Sequence, residues 1–117
     1  MTDTLHPSSQ PNTVHSVYTD AGLIVRLVGD IDMSSWARLD QVYADVVAAG
    51  AAPVTVDLSE ATFVDSTTLG FLARLHQHVT SNGHPFVVES PTRVVSRAIE
   101  ICGLDRVLTI RPTEGTA

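Results

Sequence analysis

The sequence predicts one α/β domain in which helices pack on a mixed, mostly parallel β-sheet of about five strands. Short runs rich in β-branched residues alternate with stretches whose apolar residues recur every three or four positions, in the order β-β-α-β-α-β-α-β. Apolar residues make up 44% of the 117 positions, which is enough for a chain of this length to bury a single core. The predicted domain covers 14–111, between a flexible N-terminal tail at 1–13 and a C-terminal tail at 112–117.

The first two strands are predicted at 14–19 and 23–28. The turn Asp20-Ala21-Gly22 joins them, so the pair is expected to form a β-hairpin. The four residues after the second strand are predicted to be a loop that holds two carboxylates, those of Asp30 and Asp32.

The remaining strands are predicted at 54–58, 85–89 and 107–110, each after a helical segment. The strand at 54–58 opens with three β-branched residues that follow Pro53. A helix connects it to the preceding strand, and a crossover of that length favours parallel pairing with a right-handed connection.

Three helices are predicted between these strands. The first follows the N-cap candidates Ser34 and Ser35 and ends at Gly50, with a predicted buried stripe of Trp36, Leu39, Tyr43, Val46 and Val47. The second begins near Ser66 and ends at Asn82-Gly83, and the third runs from Pro91-Thr92 to a C-terminal cap at Gly103. The predicted buried residues of these two helices are Leu69, Leu72, Leu75, Val79, Val95, Ala98, Ile99 and Cys102.

Small polar side chains mark the start of the second helix, at Asp65-Ser66-Thr67-Thr68. Side chains of this kind satisfy the free backbone N–H groups of a helix terminus, so on position alone Ser66 is a helix cap. A phosphate on that hydroxyl is compatible with the positive end of the helix dipole.

Three motifs stand in a defined order along the chain. Val28-Gly29-Asp30-Ile31-Asp32 comes first, Phe63-Val64-Asp65-Ser66-Thr67-Thr68-Leu69-Gly70 follows Val56-Asp57-Leu58-Ser59, and Gly103-Leu104-Asp105-Arg106-Val107-Leu108 comes last. Together they resemble the STAS family, and in particular its bacterial anti-sigma-factor antagonists, which carry Asp-Ser-Ser/Thr-Gly-Leu-Gly at the second motif. The resemblance runs from about Val14 to Arg111 and implies the STAS fold.

The resemblance implies a non-catalytic binding module. In its unphosphorylated form the module binds an anti-sigma factor, a serine kinase of the histidine-kinase-like ATPase type, and so releases a sigma factor. Ser66 falls on the position that the kinase phosphorylates, Thr67 is a secondary candidate, and a phosphatase acting on phospho-Ser66 resets the switch. The residues assigned to the partner surface are Asp30, Asp32, Asp65, Thr67 and Thr68. Thr68 replaces the family's glycine, and we expect its β-branched side chain to influence which kinase fits.

Composition excludes several other partners. The net charge is −6 and the seven basic residues are spread along the chain, unlike the clustered Lys and Arg of a nucleic-acid-binding surface. No apolar run approaches the ~20 residues that span a bilayer. One cysteine, Cys102, suits a reducing compartment, and its place on a predicted apolar stripe favours the core. We therefore expect a cytoplasmic domain with no metal, no cofactor, and neither nucleic acid nor membrane as a partner.

Three other functions fit parts of the sequence. Asp57 ends a predicted strand, as the phosphoacceptor of a receiver domain does, but the chain has no lysine and begins with a hairpin, so Asp57 is interpreted as structural. A Ser66–His76–Asp65 hydrolase triad lacks the Gly-x-Ser-x-Gly elbow, and His76 lies about 15 Å along the helix from Ser66. The resemblance also leaves open a STAS regulator of another stress-signalling assembly or a transporter-associated domain. For Asp30 and Asp32, plain solvation is the alternative, with Asp32 capping the first helix.

Overall fold

The computed structural model describes residues 12–50 and 52–112 and confirms the predicted order of elements. The elements are β1 (Thr13–Thr19), β2 (Gly22–Ile31), α1 (Trp36–Ala49), β3 (Val54–Val64), α2 (Ser66–Ser81), β4 (Phe86–Glu89), α3 (Arg93–Ile101) and β5 (Thr109–Arg111). Short 3₁₀ turns at Met33–Ser35 and Leu104–Arg106 precede α1 and β5. Nearly all of both predicted tails lies outside the described residues, and β1 begins at Thr13, one residue before the predicted domain.

The five strands form one sheet in the order β1-β2-β3-β4-β5. β1 pairs antiparallel with β2, and the other neighbours are parallel. The three parallel connections step in the same direction across the sheet, and crossovers of the usual right hand then place all three helices on one face of it. The strands alternate accordingly: Leu23, Val25 and Leu27 are buried beneath the helices, whereas Ile24 and Arg26 point to the other face and are exposed.

A tight approach closes the hairpin between β1 and β2. Gly22 has φ of +124°, and a Cβ at this position would lie 2.3 Å from the carbonyl oxygen of Pro53. Only glycine fits both the backbone conformation and this space. The close approach is useful because the next residue, Leu23, donates its N–H to the same oxygen at 2.9 Å and so aligns β2 with β3.

Both central strands are longer than predicted. The loop expected at 29–32 is wrong for its first three residues, which belong to β2, and β3 continues beyond Leu58 to Val64. The β2–β3 pairing shifts register twice in this extension, between Arg26 and Val28 and between Gly29 and Asp30. It ends with Ile31 opposite Val64, and both side chains are buried. Asp57 therefore lies inside a strand and not at its end. Its side chain forms an ion pair with Arg26 (3.5 Å). β5 begins at Thr109, two residues later than predicted, because the N–H groups of Val107 and Leu108 still bond to the Leu104 carbonyl of the preceding 3₁₀ turn.

The predicted helix stripes are largely confirmed. The residues buried as predicted are Leu39, Val46, Leu72, Leu75, Val79, Val95 and Ile99, while Tyr43, Leu69 and Ala98 pack against the core from partly buried positions. Val42 is buried and was not predicted, because α1 turns Val42 and Val46 inward, four residues apart, and leaves Val47 45% exposed. Trp36 is 38% exposed. Cys102 is also exposed, since it follows the last residue of α3 where the chain turns toward Gly103.

Within the described part of the chain, no helix combines the length and the apolar character needed to cross a membrane.

Candidate functional site

The predicted site residues gather where β2 and β3 end. Ile31 and Val64 are the last paired residues of these strands, and Asp65 donates its backbone N–H to the Ile31 carbonyl at 3.2 Å. The chain then leaves β2 through Asp32 and leaves β3 through Asp65. The parallel pairing therefore brings the two aspartates and the start of α2 to one edge of the sheet, as is usual for sites in α/β folds.

Asp65 is the N-cap of α2 and ties three elements together. Its Oδ1 accepts hydrogen bonds from the Thr68 backbone N–H and the Thr68 hydroxyl, both at 2.9 Å. Its Oδ2 accepts one from the indole N–H of Trp36, in the first turn of α1, at 3.1 Å. Partial burial acts to raise the pKa of Asp65, but the hydrogen bonds from Thr68 and Trp36 together outweigh it and hold the pKa below its ordinary value. Asp65 is therefore a carboxylate at neutral pH.

Ser66 and Thr67 are the first two residues of α2, and both are exposed. Within the described part of the chain, the hydrogen bonds that close this turn are made by Asp65 and Thr68, and the Ser66 hydroxyl makes none of them. The interpretation of Ser66 as the helix cap is therefore wrong, because Asp65 takes that role one residue earlier. The Ser66 hydroxyl is available to solvent at the positive end of the helix dipole.

Thr68 does not lie on the predicted partner surface. Its side chain is fully buried, and its hydroxyl lies 2.9 Å from Asp65 Oδ1 and 3.4 Å from the Ile31 carbonyl oxygen. The helical phase explains this position: Thr68 lies three, four and seven residues before Phe71, Leu72 and Leu75, which are the buried stripe of α2. Where the family has a glycine, this chain uses the position to brace the cap.

We expect the exchange of Thr68 for valine to lower the free energy of unfolding by about 1 kcal/mol, because the methyl groups still fill the site but the hydrogen bond to Asp65 is lost. The matched control is Thr67→Val on the exposed neighbouring position, where we expect a change within about 0.5 kcal/mol. Urea unfolding followed by circular dichroism measures both. Equal effects of the two substitutions would contradict the assigned role of Thr68.

The two carboxylates of the first motif have different partners. Asp32 Oδ1 accepts hydrogen bonds from the Ser34 N–H (3.1 Å) and hydroxyl (2.7 Å), so Asp32 caps the 3₁₀ turn that leads into α1. Asp30 lies on β2 opposite Phe63 and accepts a hydrogen bond from the Thr62 hydroxyl at 2.5 Å. Asp30 is exposed and Asp32 is half-buried. The structure thus brings both to the same edge as Asp65, although each also stabilises its own segment.

Three apolar side chains at this edge were not predicted as part of the site. Met33 is 67% exposed, Phe63 is 45% exposed, and the exposed part of Trp36 adjoins the Asp65 carboxylate. Phe63 lies three residues before Ser66, Trp36 contacts Asp65, the residue directly before Ser66, and Met33 lies in the turn that follows Asp32. We refer to Asp30, Asp32, Met33, Trp36, Phe63, Ser66 and Thr67 as the switch face. The sequence could have indicated Met33 as a site residue, because it is a large apolar residue in a short polar connection.

Known proteins share the family and the fold of this chain. The family model described as Mlab, STAS domain, matches residues 15–110. The chain belongs to the STAS family. Its fold is similar to that of an anti-sigma factor antagonist from Mycobacterium paratuberculosis, with 29% identity over 92% of this chain and 90% of that one and a TM-score of 0.74.

Two further structures share the STAS fold at lower identity. The Thermotoga maritima protein TM1081 is 22% identical over 86% of this chain and 87% of that one, with a TM-score of 0.73. The anti-sigma factor antagonist SpoIIAA in its unphosphorylated form is 16% identical over 89% and 90%, with a TM-score of 0.71. The resemblance seen in the sequence motifs is thereby confirmed.

The described residues do not have the geometry of the Ser66–His76–Asp65 hydrolase triad. The Asp65 carboxylate is engaged by Thr68 and Trp36, and the His76 ring packs edge-on against Phe86 with 6.0 Å between ring centroids. Ser66, His76 and Asp65 therefore do not form a triad. Among the described residues, no group of three or more His, Cys, Asp or Glu side chains is placed to hold a metal ion.

Proposed function

We propose that this STAS domain is an anti-sigma-factor antagonist whose binding is controlled by phosphorylation of Ser66. In this proposal the unphosphorylated domain binds an anti-sigma factor, a serine kinase of the histidine-kinase-like ATPase type, and the bound kinase can no longer hold its sigma factor. A phosphatase acting on phospho-Ser66 restores the binding form. The domain thus works as a binding module and not as an enzyme, in the cytoplasm, where sigma factors act.

One observation carries the proposal. Ser66 is exposed on the first turn of α2, and among the described residues the hydrogen bonds that close the cap are made by Asp65 and Thr68 and not by the Ser66 hydroxyl. A phosphate can therefore be added at Ser66 without breaking a hydrogen bond that holds α2 to the sheet. The antagonist from Mycobacterium paratuberculosis, at 29% identity, supports the same class of function.

The composition of the switch face supports a protein partner. Met33, Trp36 and Phe63 offer exposed apolar surface, and Asp30 and Asp32 offer carboxylates on the same edge. Protein interfaces combine an apolar centre, in which aromatic residues and Met are enriched, with a polar rim. In the unphosphorylated protein, Ser66 and Thr67 add only small neutral hydroxyls to this face, which a partner can cover at little cost.

Phosphorylation would change that balance. A phosphoserine adds close to two negative charges to a chain that already carries a net charge of −6, on a face that already holds two carboxylates. Within the domain the helix terminus stabilises the phosphate by about 0.3–1 kcal/mol. Within a closed interface an unpaired charge costs several kcal/mol. The second effect is larger, so the modified domain is expected to leave its partner while keeping its fold.

The test uses intact-mass spectrometry of the full chain after incubation with ATP and each anti-sigma kinase encoded in the same genome. We expect one kinase to add a single phosphate, Ser66→Ala to abolish the addition, and Thr67→Ala to retain it. Binding is measured in parallel with an ATP analogue that cannot be cleaved. Phosphate on a residue other than Ser66, or binding with no modification, would contradict the switch, and the absence of both would contradict the antagonist role.

A further inference from the structure

The strand β1 forms an open edge of the sheet. β1 is the outermost strand on its side, and among the described residues no strand pairs with its outer edge. Its seven residues, Thr-Val-His-Ser-Val-Tyr-Thr, include no proline and no glycine, and His15 is their only titratable group apart from the tyrosine. They pair with β2 in one unbroken register. Segments of this length with high β-propensity, little charge and no proline are those most prone to pair with another chain.

The opposite edge of the sheet is protected. β5 has only three residues, one of them Arg111, and Pro112 follows it directly. A short strand, a charged residue and a proline are devices by which proteins prevent a sheet edge from pairing with another strand. β1 has none of these three devices, so the two edges of this sheet differ in their capacity to accept a further strand.

Side-chain hydrogen bonds fix both ends of β1. At its start, the Asn12 side chain donates to the Ser34 hydroxyl at 2.8 Å and accepts from the Arg38 guanidinium at 2.8 Å. At its end, the Thr19 hydroxyl donates to the Gly22 carbonyl at 3.0 Å. An edge that is already held in place loses little conformational entropy when another strand pairs with it.

We propose that the outer edge of β1 pairs antiparallel with the same edge of a second copy, about a two-fold axis that crosses the sheet at Ser16. Ser16 is the midpoint of Thr13–Thr19, so this register pairs the strand over its whole length. It joins two five-stranded sheets into one and adds about six to eight backbone hydrogen bonds. None of the paired residues belongs to the switch face, so the inference does not depend on the proposed function.

The register sets matching side chains opposite each other. Tyr18 lies opposite Val14 of the other copy, and the two-fold axis repeats this pair. Both residues point to the side of the sheet that carries the helices, because their partners on β2 are the buried Leu23 and Leu27. Tyr18 is 56% exposed in the single domain. An aromatic residue opposite a β-branched one is a stabilising cross-strand pair, so the seam covers an exposed aromatic side chain at a favourable position.

The charges at the two ends of the seam are complementary. One step beyond the strand, the register places Asp20 next to Asn12 of the other copy, whose side chain Arg38 holds. Asp20 is an exposed carboxylate, and Arg38 is an exposed guanidinium on α1. An acid therefore meets a base at each end of the seam, in a protein whose net charge of −6 otherwise opposes self-association.

Other segments of the chain are poorer occupants of this edge. The sequence before Asn12 includes Pro7 and Pro11, and a proline cannot donate a hydrogen bond to a neighbouring strand. The residues after Pro112 follow β5, which is the strand at the opposite edge of the sheet. A second copy, by contrast, brings a strand of the same length, and the same contact covers the open edges of both copies.

The size of the seam sets the expected affinity. A seven-residue antiparallel strand is about 24 Å long, and a seam of this length covers on the order of a few hundred Å² on each copy. That area is below the roughly 800 Å² per partner of standard interfaces. We therefore expect a reversible dimer with a Kd on the order of 100 μM.

Sedimentation equilibrium of the full chain from about 5 μM to 2 mM measures this association, because the range brackets the expected Kd. We expect the wild type to change from monomer to dimer and Tyr18→Ala to raise the dimer Kd by about tenfold, because two cross-strand pairs are lost. Val94→Ala is the matched control, since Val94 is 57% exposed but lies on α3, and we expect its Kd to equal that of the wild type. Circular dichroism checks that each variant is folded.

The register is tested by disulfide formation in a Cys102→Ser background, which removes the only cysteine of the chain. Ser16→Cys sets two thiols opposite each other with about 4.5–5.5 Å between their Cα atoms, within the range of disulfides. With oxidised glutathione as the electron acceptor, we expect a covalent dimer on a non-reducing gel. Thr19→Cys is the control on the same strand, because its two thiols lie about 20 Å apart along the seam, and we expect it not to cross-link.

Several results would overturn the proposal. They are a monomeric wild type at every concentration, a Kd unaffected by Tyr18→Ala, equal weakening by Val94→Ala, and cross-linking of Thr19→Cys as fast as that of Ser16→Cys. A wild type that is monomeric and dimerises only after residues 1–10 are removed would also overturn it, and would mean that the N-terminal segment occupies the edge.

Discussion

Replacement of Ser66 by aspartate is expected to weaken binding to the anti-sigma factor by at least about 100-fold, a loss of about 2.8 kcal/mol. The stability of the domain is expected to change by less than about 0.5 kcal/mol, because an acidic residue in the first turn of a helix interacts favourably with the dipole. The exposed position of Ser66 above a cap that is already closed is what separates the two effects.

Isothermal titration calorimetry against the kinase identified by mass spectrometry measures the affinity, and urea unfolding measures the stability. The matched control is Ser81→Asp, which adds the same charge at the other end of α2, about 22 Å away along the helix axis. We expect Ser81→Asp to change the affinity by less than about threefold, as for a charge outside the contact. Equal losses in the two variants would mean that net charge, and not the switch face, controls binding.

The exchange of Asp65 for alanine is expected to lower the free energy of unfolding by about 2–3 kcal/mol. Loss of the N-cap accounts for about 1 kcal/mol. The buried Thr68 hydroxyl also loses its shorter hydrogen bond and keeps only the 3.4 Å approach to Ile31, which adds a desolvation cost of about 1–2 kcal/mol. Urea unfolding followed by circular dichroism measures this loss.

The control for Asp65→Ala is Asp40→Ala. Asp40 is an exposed carboxylate on α1 that lies 3.7 Å from Arg74, and pairs of this kind contribute little. We expect its loss to change the stability by less than about 0.5 kcal/mol. If both variants lose the same unfolding free energy, the hydrogen bonds of Asp65 do not stabilise the domain as we infer.

The lowered pKa of Asp65 makes its contribution depend on pH. Its charged form is favoured in the folded protein, so the stabilisation is fully present above the ordinary pKa of 3.8 and is lost as the pH falls through the lower folded value. Asp65→Asn removes the titration while keeping the shape and one acceptor oxygen. The difference in unfolding free energy between wild type and Asp65→Asn is therefore expected to shrink in acid, and a difference that grew in acid would contradict the assignment.

The fold follows closely from sequence patterns because its elements are strongly marked. Leu72, Leu75 and Val79 repeat at helical spacing, and the β-branched run that opens β3 has no competing interpretation. The ends of β2 and β3 were missed because their outward residues are polar. Asp30 and Thr62 belong to strands only through the pairing of Ile31 with Val64, which is a contact between distant parts of the chain.

The sequence motifs predicted that Asp32, Asp65 and Ser66 belong to one candidate site, and the structure places them at one edge of the sheet. Local spacing could not show which side chain caps α2 or that Thr68 turns inward. Those facts depend on the packing of α2 against the end of β2. The exposure of Trp36 has the same origin, since its indole reaches across to Asp65 instead of entering the core.

The position of Trp36 has a practical consequence. It is the only tryptophan of the chain, and its indole N–H is hydrogen-bonded to the residue directly before Ser66. The intrinsic fluorescence of this protein therefore originates beside the proposed phosphorylation site. Partner binding, phosphorylation of Ser66 and its dephosphorylation can therefore be followed by tryptophan emission in real time, on the native chain, without any attached dye.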